Sequence, residues 1–380
     1  FIQFIIFLPS SILLILITRA LSLIKKINIL EINFSRIADV YPLFWSLKVD
    51  DVLNLKFKKK YLIFINDNFQ HNKTWFKLWN RIIKFSPFSL LWKNFFIMSK
   101  FFPGHKNITA ERYETILHNL YLAKINQDKM RNFKLEQIKK ISSQNKVLLK
   151  FNESEEQLGK NYLDSRSANK YSYICFHSRD RAYLQHYNNQ KDWSYHDFRD
   201  SNIDTYLPAM EHFTKLGYPC FRMGSKVEKK IETNNNNIID YASSSSQSDF
   251  LDVYIASKCF MAVYSESGIS VIPEVFDRPI VYVNWPAFNF SCFSANSLVI
   301  PKKYFSKKKN RNLTFSEILE LNFEGVATSA KLKDLEIDLI DNTPTEILDA
   351  AKENFERLNG NWIEDAKCVE LQKKFWSLFN

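Results

Sequence analysis

Glycine is scarce, with 7 in 380 residues, and cysteine is scarcer, with 5. Cys175, Cys220, Cys259, Cys292 and Cys368 lie far apart, and no CxxC or Cys/His cluster stands among them. A zinc ribbon, an iron–sulfur site and a disulfide framework therefore lack their ligands, and a reducing compartment is the natural setting. The chain has no GxxxxGK[ST], no GxGxxG and no GxSxG. A phosphate-cradling P-loop, a dinucleotide fingerprint and a serine-hydrolase elbow lose their sequence support. No DxD occurs in the strand-rich region, so no metal-bridged diphosphate and no metal cofactor are predicted.

Acidic residues are missing from one half only. Residues 1–150 carry 25 Lys/Arg against 9 Asp/Glu, a balance of +16, and the remaining 27 against 32 give −5. Codon bias toward Lys, Asn, Ile and Phe accounts for the composition but not for that asymmetry. A basic first half predicts contact with an anionic membrane surface. Nucleic acid is not expected, because no recognition motif accompanies the charge and its Lys and Arg are interspersed with core-like aromatics.

What is present begins with an apolar stretch, residues 1–26, broken by Arg19 and closed by Lys25 and Lys26. A spanning helix needs about 20 apolar residues, so a membrane anchor, an in-plane helix, a buried core helix and a cleaved signal peptide all remain open. The positive-inside tendency would keep the bulk of the chain on the cytoplasmic face of the inner membrane. Residues 27–160 form the basic N-terminal domain, with β-like runs at Ile27–Phe34 and Tyr61–Ile65. A helix face follows at Trp75, Leu78, Trp79, Ile82 and Ile83, another at Ile116, Leu120 and Ala123, with Pro103-Gly104 as a break between helical stretches.

Residues 161–330 read as a second domain in which short apolar runs alternate with helical patterns: Tyr171–Phe176, Cys220–Met223, Ile238–Tyr241, Cys259–Tyr264 and Ile280–Val283. That alternation predicts an α/β fold with a doubly wound parallel sheet. Leu207, Met210, Phe213 and Leu216 mark a helix stopped by Gly217, and Ser248 or Asp249 caps another. Residues 331–380 read as C-terminal helices.

Ligands in such sheets bind beyond the carboxyl ends of the strands, where two polar clusters fall. One is His177-Ser178-Arg179-Asp180, and the other is Ser265-Glu266-Ser267-Gly268-Ile269-Ser270. The second offers backbone N–H groups, hydroxyls and a helix start, equipment suited to a phosphate. Arg179 can add a bidentate guanidinium contact to the same diphosphate. Taken singly, each cluster also fits a structural ion pair or an ordinary helix start. Candidate bases at the first strand's mouth are Asp180, His177 and Asp200. The 181–205 loop, with Tyr183, Trp193, Tyr195, Arg199 and Asn202, could cover a sugar or acceptor, or be a plain surface loop.

The strings FHSRDRAYL, DFRDSNIDTYLPAMEHFTKLGYPCFRMGS and IDYASSSSQSDFLDVYIASKCFMAVYSESGIS resemble a family of bacterial glycosyltransferases from surface-polysaccharide (capsule and lipopolysaccharide) gene clusters, and DNTPTEILDAAKENFERL resembles that family's C-terminal helix. The resemblance covers about residues 170–360. It implies the two-Rossmann GT-B architecture, with the nucleotide-sugar donor on the second domain and the acceptor, a glycan or lipid-linked sugar, met by the first. The His-x-Arg after a strand is similar to fucosyltransferases, which implies a diphosphate-clamping role for Arg179. The family's turn has Thr-Ser-Gly where this chain has Ser265-Glu266-Ser267-Gly268. A carboxylate there would repel a diphosphate, which motivates an alternative: a non-catalytic assembly protein of a polysaccharide export complex.

Overall fold

The computed structural model describes residues 9–17, 20, 27–32, 36–41, 44, 61–65, 72–83, 91, 94–95, 108–112, 147–187, 189–286, 296–321 and 329–378. The chain divides into two compact units, Phe1–Ile141 and Ser142–Asn380.

In the first unit, β1 (Ile27–Ile32), β2 (Tyr61–Ile65) and β3 (Ile108–Arg112) form a parallel sheet in the order β2-β1-β3. Both β-like runs of the sequence are strands; β3 falls in a span read as mostly helical. Helix α1 (Lys73–Ile82) follows the Trp75/Leu78/Trp79 period, and those three side chains are buried. Asn72 caps it by accepting from the Trp75 N–H at 2.8 Å. Trp75 and Trp79 meet edge to face at 5.8 Å, one turn apart on the buried stripe. Residues 9–17 are helical. The remainder of the apolar stretch apart from Ala20, the break at Pro103-Gly104, and Ile116, Leu120 and Ala123 lie outside the described residues. Among the described residues no helix is long and apolar enough to cross a membrane.

The second unit opens with α2 (Glu153–Asp164) and is built on six parallel strands. These are β4 (Ile174–His177), β5 (Cys220–Arg222), β6 (Ile238–Ile239), β7 (Met261–Tyr264), β8 (Ile280–Trp285) and β9 (Leu298–Pro301), in the order β6-β5-β4-β7-β8-β9. Counted along the chain that order is 3-2-1-4-5-6, a doubly wound sheet whose direction of winding reverses between β4 and β7. Both faces are covered, which is why the strands are nearly continuously apolar. Ile174 and Phe176 of β4 face a core shared with Met210 and Phe213 of α4 (Leu207–Lys215) and with Ile347 and Ala351 of α9 (Pro344–Leu358). On the other face Tyr173 donates its hydroxyl to the Ile255 carbonyl of α5 (Asp249–Lys258) at 2.8 Å.

Local signals explain most boundaries. Ser248, not Asp249, caps α5, accepting from the Leu251 N–H at 3.2 Å. Gly217, at φ +84°, ends α4 in the left-handed conformation that glycine adopts without strain. Leu216, read as part of the buried face, is 49% exposed because it sits at the C-cap after the last helical turn. The 331–380 span holds a strand as well as helices. After α6 (Val271–Val275), α7 (Phe315–Glu320) and α8 (Ser329–Asp334), β12 (Ile337–Ile340) joins β10 (Lys303–Ser306) and β11 (Arg311–Asn312) in a small antiparallel sheet. Its signal is alternation: Ile337 is buried, Asp338 exposed, Leu339 half-buried and Ile340 exposed. Helix α9 begins at a capping box, Thr343 with Glu346, and α10 (Ala366–Ser377) ends the described chain.

Candidate anion site at the sheet's reversal point

Both polar clusters stand at the reversal point, at the carboxyl ends of the neighbouring strands β4 and β7. His177 is in register with Tyr264. The clusters are stitched by the Ser265 N–H donating to the His177 carbonyl at 3.0 Å and the Arg179 N–H donating to Ser265 Oγ at 2.8 Å. Ser265 is thus committed to shaping the crevice.

The three candidate bases separate. Asp180 accepts from the Ala182 N–H (3.0 Å), starting the short helix α3 (Ala182–Tyr187), and from the Glu228 N–H (3.1 Å), with Arg222 Nη2 at 4.0 Å. Asp200 forms an ion pair with Arg179 Nη1. His177 holds its Nδ1 2.9 Å from the Met223 carbonyl. A ring nitrogen facing a carbonyl must be the protonated one, so Nε2 carries the lone pair. Burial lowers the His177 pKa to about 4, opposed by the Met223 hydrogen bond and aided by the Arg222 charge. Gly224, at φ +151°, leaves room here: a Cβ would sit 3.0 Å from Val227 Cγ1 and 3.8 Å from His177 Nδ1.

Three cations gather around Asp200. Arg179, 8% exposed, also donates from Nη1 to the His196 carbonyl at 3.2 Å. Arg199 lies near enough that its charge, after burial, is the next largest cause lowering the Arg179 pKa to about 10. Lys302, 4% exposed, follows β9 and donates to the Asp200 carbonyl at 2.6 Å, with Asp341 at 2.8 Å. Its pKa is lowered by burial, with Asp341 opposing and the Arg179 charge contributing. Sequence spacing brings Arg179 to the strand end but gives no sign of Lys302, which is delivered more than 120 residues later by the parallel winding.

The turn after β7 is only partly what its residues promised. Ser270 spends its hydroxyl on the Ser267 carbonyl at 2.7 Å. Gly268, Ile269 and Ser270 form one 3₁₀ turn leading into α6, a helix of five residues, so the dipole available to an anion is small. Ser267 is different: its Oγ is buried and has no hydrogen-bond partner. Glu266 sits 3.2 Å from Arg199 Nε, an ion pair without hydrogen-bond alignment. Its charge is therefore met by a neighbouring cation and does not face the crevice uncompensated.

The 181–205 segment is a folded cover: α3, a 3₁₀ turn over Ser194–Arg199 and a second over Ile203–Tyr206. Asn202 caps the last turn, accepting from the Asp204 N–H at 3.1 Å. Tyr183 stacks on Tyr187 at 6.5 Å, and Trp193 stacks on Tyr195 at 6.2 Å. Beneath the cover runs a buried polar network. Ser178 Oγ donates to the Ser201 carbonyl, Ser201 Oγ lies 3.3 Å from the Tyr206 hydroxyl, and Asn284 Nδ2 donates to that hydroxyl at 3.3 Å. Asn284, at φ +53° and fully buried, exchanges backbone-to-side-chain bonds with Asn342. Among the described residues no three His, Cys, Asp or Glu side chains converge as metal ligands do.

No protein-family model matches the chain, and no curated protein sequence matches it significantly. Among solved structures it is similar to a glycosyl transferase family 9 protein from Veillonella parvula DSM 2008, at 10% identity and a TM-score of 0.46, covering 87% of this chain and 98% of that one. It is also similar to the E. coli ADP-heptose LPS heptosyltransferase II, at 13% identity and a TM-score of 0.40, covering 88% and 100% respectively. With both scores below one half, neither likeness bears on what this chain does.

Proposed function

We propose that this chain is a metal-independent glycosyltransferase that moves a sugar from a nucleotide-sugar donor to a glycan or lipid-linked acceptor at a membrane surface. One observation carries the reading. Arg179, Arg199 and Lys302, from three separate segments, are held together at the reversal point of a 3-2-1-4-5-6 sheet. Each is paired with an acid, Asp200, Glu266 and Asp341, yet Arg179 keeps two N–H donors unbonded, and buried cations with spare donors at a strand-end reversal are characteristic of sites that receive an anion.

In the transfer, an acceptor hydroxyl oxygen bonds to the anomeric carbon as the bond from that carbon to the diphosphate oxygen breaks. Negative charge grows on the departing diphosphate, where fixed cations stabilise it. Among the described residues Arg179 makes its hydrogen bonds to His196 and Asp200 through Nη1, so Nη2 and Nε–H remain for two parallel bonds to phosphate oxygens. The acceptor's proton goes to His177 Nε2, the lone pair among the three candidate bases that is not engaged by an ion pair or by two backbone N–H groups.

Thermal unfolding with UDP, GDP, ADP and CMP tests the reading. A cognate nucleotide at 100-fold its dissociation constant adds about 2.7 kcal/mol. Arg179→Ala abolishes that gain together with turnover. Arg179→Lys does not restore it, because an ammonium cannot present two parallel N–H groups. No stabilisation by any of the four nucleotides overturns the proposal.

A further inference from the structure

The three crevice cations are balanced before any ligand arrives: Arg179 by Asp200, Arg199 by Glu266 and Lys302 by Asp341. An anion entering a site that is already neutral is opposed by the acids in it. Which acid opposes it most closely therefore helps to set the affinity. Asp341 meets Lys302 from a more exposed position, where water and salt screen it. Asp200 stands apart, because it shares one guanidinium with the ligand.

Arg179 receives Asp200 through a single pair of atoms, Nη1 with Oδ1, and the same nitrogen also serves the His196 carbonyl at 3.2 Å. Arg311 shows the fork that such a pair can form. On the surface it bonds both Glu317 oxygens with two nitrogens, at 2.9 and 2.7 Å. In the crevice that fork is half used. A phosphate on Arg179 Nη2 and Nε–H would lie across one guanidinium from the Asp200 carboxylate. Two negative charges so placed repel each other more strongly in a partly buried site than in water.

The segment does not need that carboxylate for its shape. The Asp200 N–H donates to the Asp197 carbonyl at 2.9 Å, and its carbonyl accepts from Lys302 at 2.6 Å. The next N–H, that of Ser201, donates to the Arg179 carbonyl at 3.0 Å. Backbone contacts thus place the residue, and its charge is separable from the fold.

We propose that Asp200 is an affinity-limiting residue, a built-in counter-charge that weakens the crevice's hold on a diphosphate so that the ligand exchanges instead of staying bound. The proposal rests on the nucleotide-sugar reading, in which the released nucleoside diphosphate leaves before the next donor enters. It gives Asp200 a role other than the general base that its place at the strand's mouth suggests.

The test is calorimetric titration of wild type, Asp200→Asn and Asp338→Asn with inorganic pyrophosphate and with ADP, GDP and UDP. Asp200→Asn keeps an oxygen for Nη1 and removes only the charge. Asp338, half exposed on β12 and paired with Lys307, controls for the loss of one negative charge elsewhere on the same unit. Asp200→Asn should bind pyrophosphate, and the nucleoside diphosphate that wild type accepts, about tenfold more tightly. Asp338→Asn should stay within twofold of wild type. Asp200→Ser, which also removes the charge, should gain in the same direction and replaces the amide variant if that one fails to fold. Unchanged or weaker binding in Asp200→Asn makes the carboxylate a brace for Arg179 and overturns the proposal, while the crevice reading stands. An equal gain in Asp338→Asn overturns it as well. If neither wild type nor Asp200→Asn binds any of these probes, the nucleotide-sugar reading fails and the proposal with it.

Discussion

The two strand-end clusters look alike in sequence, each a short polar run following a buried strand, yet they do different work. After β4, Ser178 is tied to Ser201 and Asp180 to two backbone N–H groups, while His177 and Arg179 are each anchored by one nitrogen, Nδ1 to Met223 and Nη1 to Asp200, and keep the rest. After β7, Ser265 and Ser270 are likewise tied, but Ser267 keeps a buried hydroxyl without a partner. Fully bonded side chains such as Ser178, Asp180, Ser265 and Ser270 specify shape, whereas those that keep an unbonded donor or lone pair, His177, Arg179 and Ser267, are poised for a ligand. The difference separates scaffold from recognition where residue type alone does not.

Asp180 gives the largest effect. Replacing it with Ala leaves the Ala182 and Glu228 N–H groups without their acceptor and strips Arg222 of one of two nearby carboxylates. A loss of about 3 kcal/mol in urea unfolding is expected. Asp180→Asn retains an acceptor oxygen and should lose about half as much, with turnover largely preserved. Full stability with turnover abolished in Asp180→Asn would make Asp180 the base and break the contrast between the clusters.

His177 can be sorted by pH. Its folded pKa, about 4, lies below the unfolded value of 6.5, so the unfolded chain takes up the proton first and stability falls as pH drops through that window. The gap corresponds to about 3 kcal/mol. Asp252 works in the opposite sense. Burial raises its carboxyl to about 6 from 3.8, with the Tyr241 hydroxyl bond at 2.7 Å opposing. The folded state therefore takes up that proton first, and stability rises as pH falls from about 6 to 3.8, by a similar amount. Between pH 6 and 4 the two slopes nearly cancel in the wild type. Asp252→Asn, which keeps an acceptor for Tyr241, should reveal the His177 loss, and His177→Gln should reveal the Asp252 gain. Urea unfolding at pH 7, 5.5 and 4.5 checks both; identical slopes in the two variants would remove His177 from the buried, neutral set.

Much of the second unit was legible because its signals are local. Apolar runs of four to six residues, Gly217 at a helix end, and a cap at Ser248 or Asp249 each act over a few neighbours, and the two polar strand ends follow from the parallel winding. Lys302 and the Asn284–Asn342 exchange were not legible. Each depends on side chains brought together across 58 to 102 positions, with no periodicity to mark them. Glu266 and Asp200 show a subtler limit. Their types suggest a repelling charge and a free base, but both are partners of arginines whose approach depends on the folded 194–203 cover.

Ser267 gives the smallest effect on stability and the sharpest test of the contrast. Its hydroxyl is already desolvated and makes no hydrogen bond, so Ser267→Ala removes a cost with no bond lost. Stability should stay within about 1 kcal/mol of wild type, on the favourable side. If that hydroxyl waits for a phosphate oxygen, the same substitution removes one bond from the complex and weakens nucleotide-diphosphate binding about three- to tenfold. Ser270→Ala, which cuts the bond to the Ser267 carbonyl, should lower stability by about 1 kcal/mol through the turn itself. Thermal unfolding and calorimetry on the two variants separate the roles. A Ser267→Ala protein that is destabilised and binds nucleotide normally would place this turn with the scaffold, leaving recognition to Arg179, Arg199 and Lys302 alone.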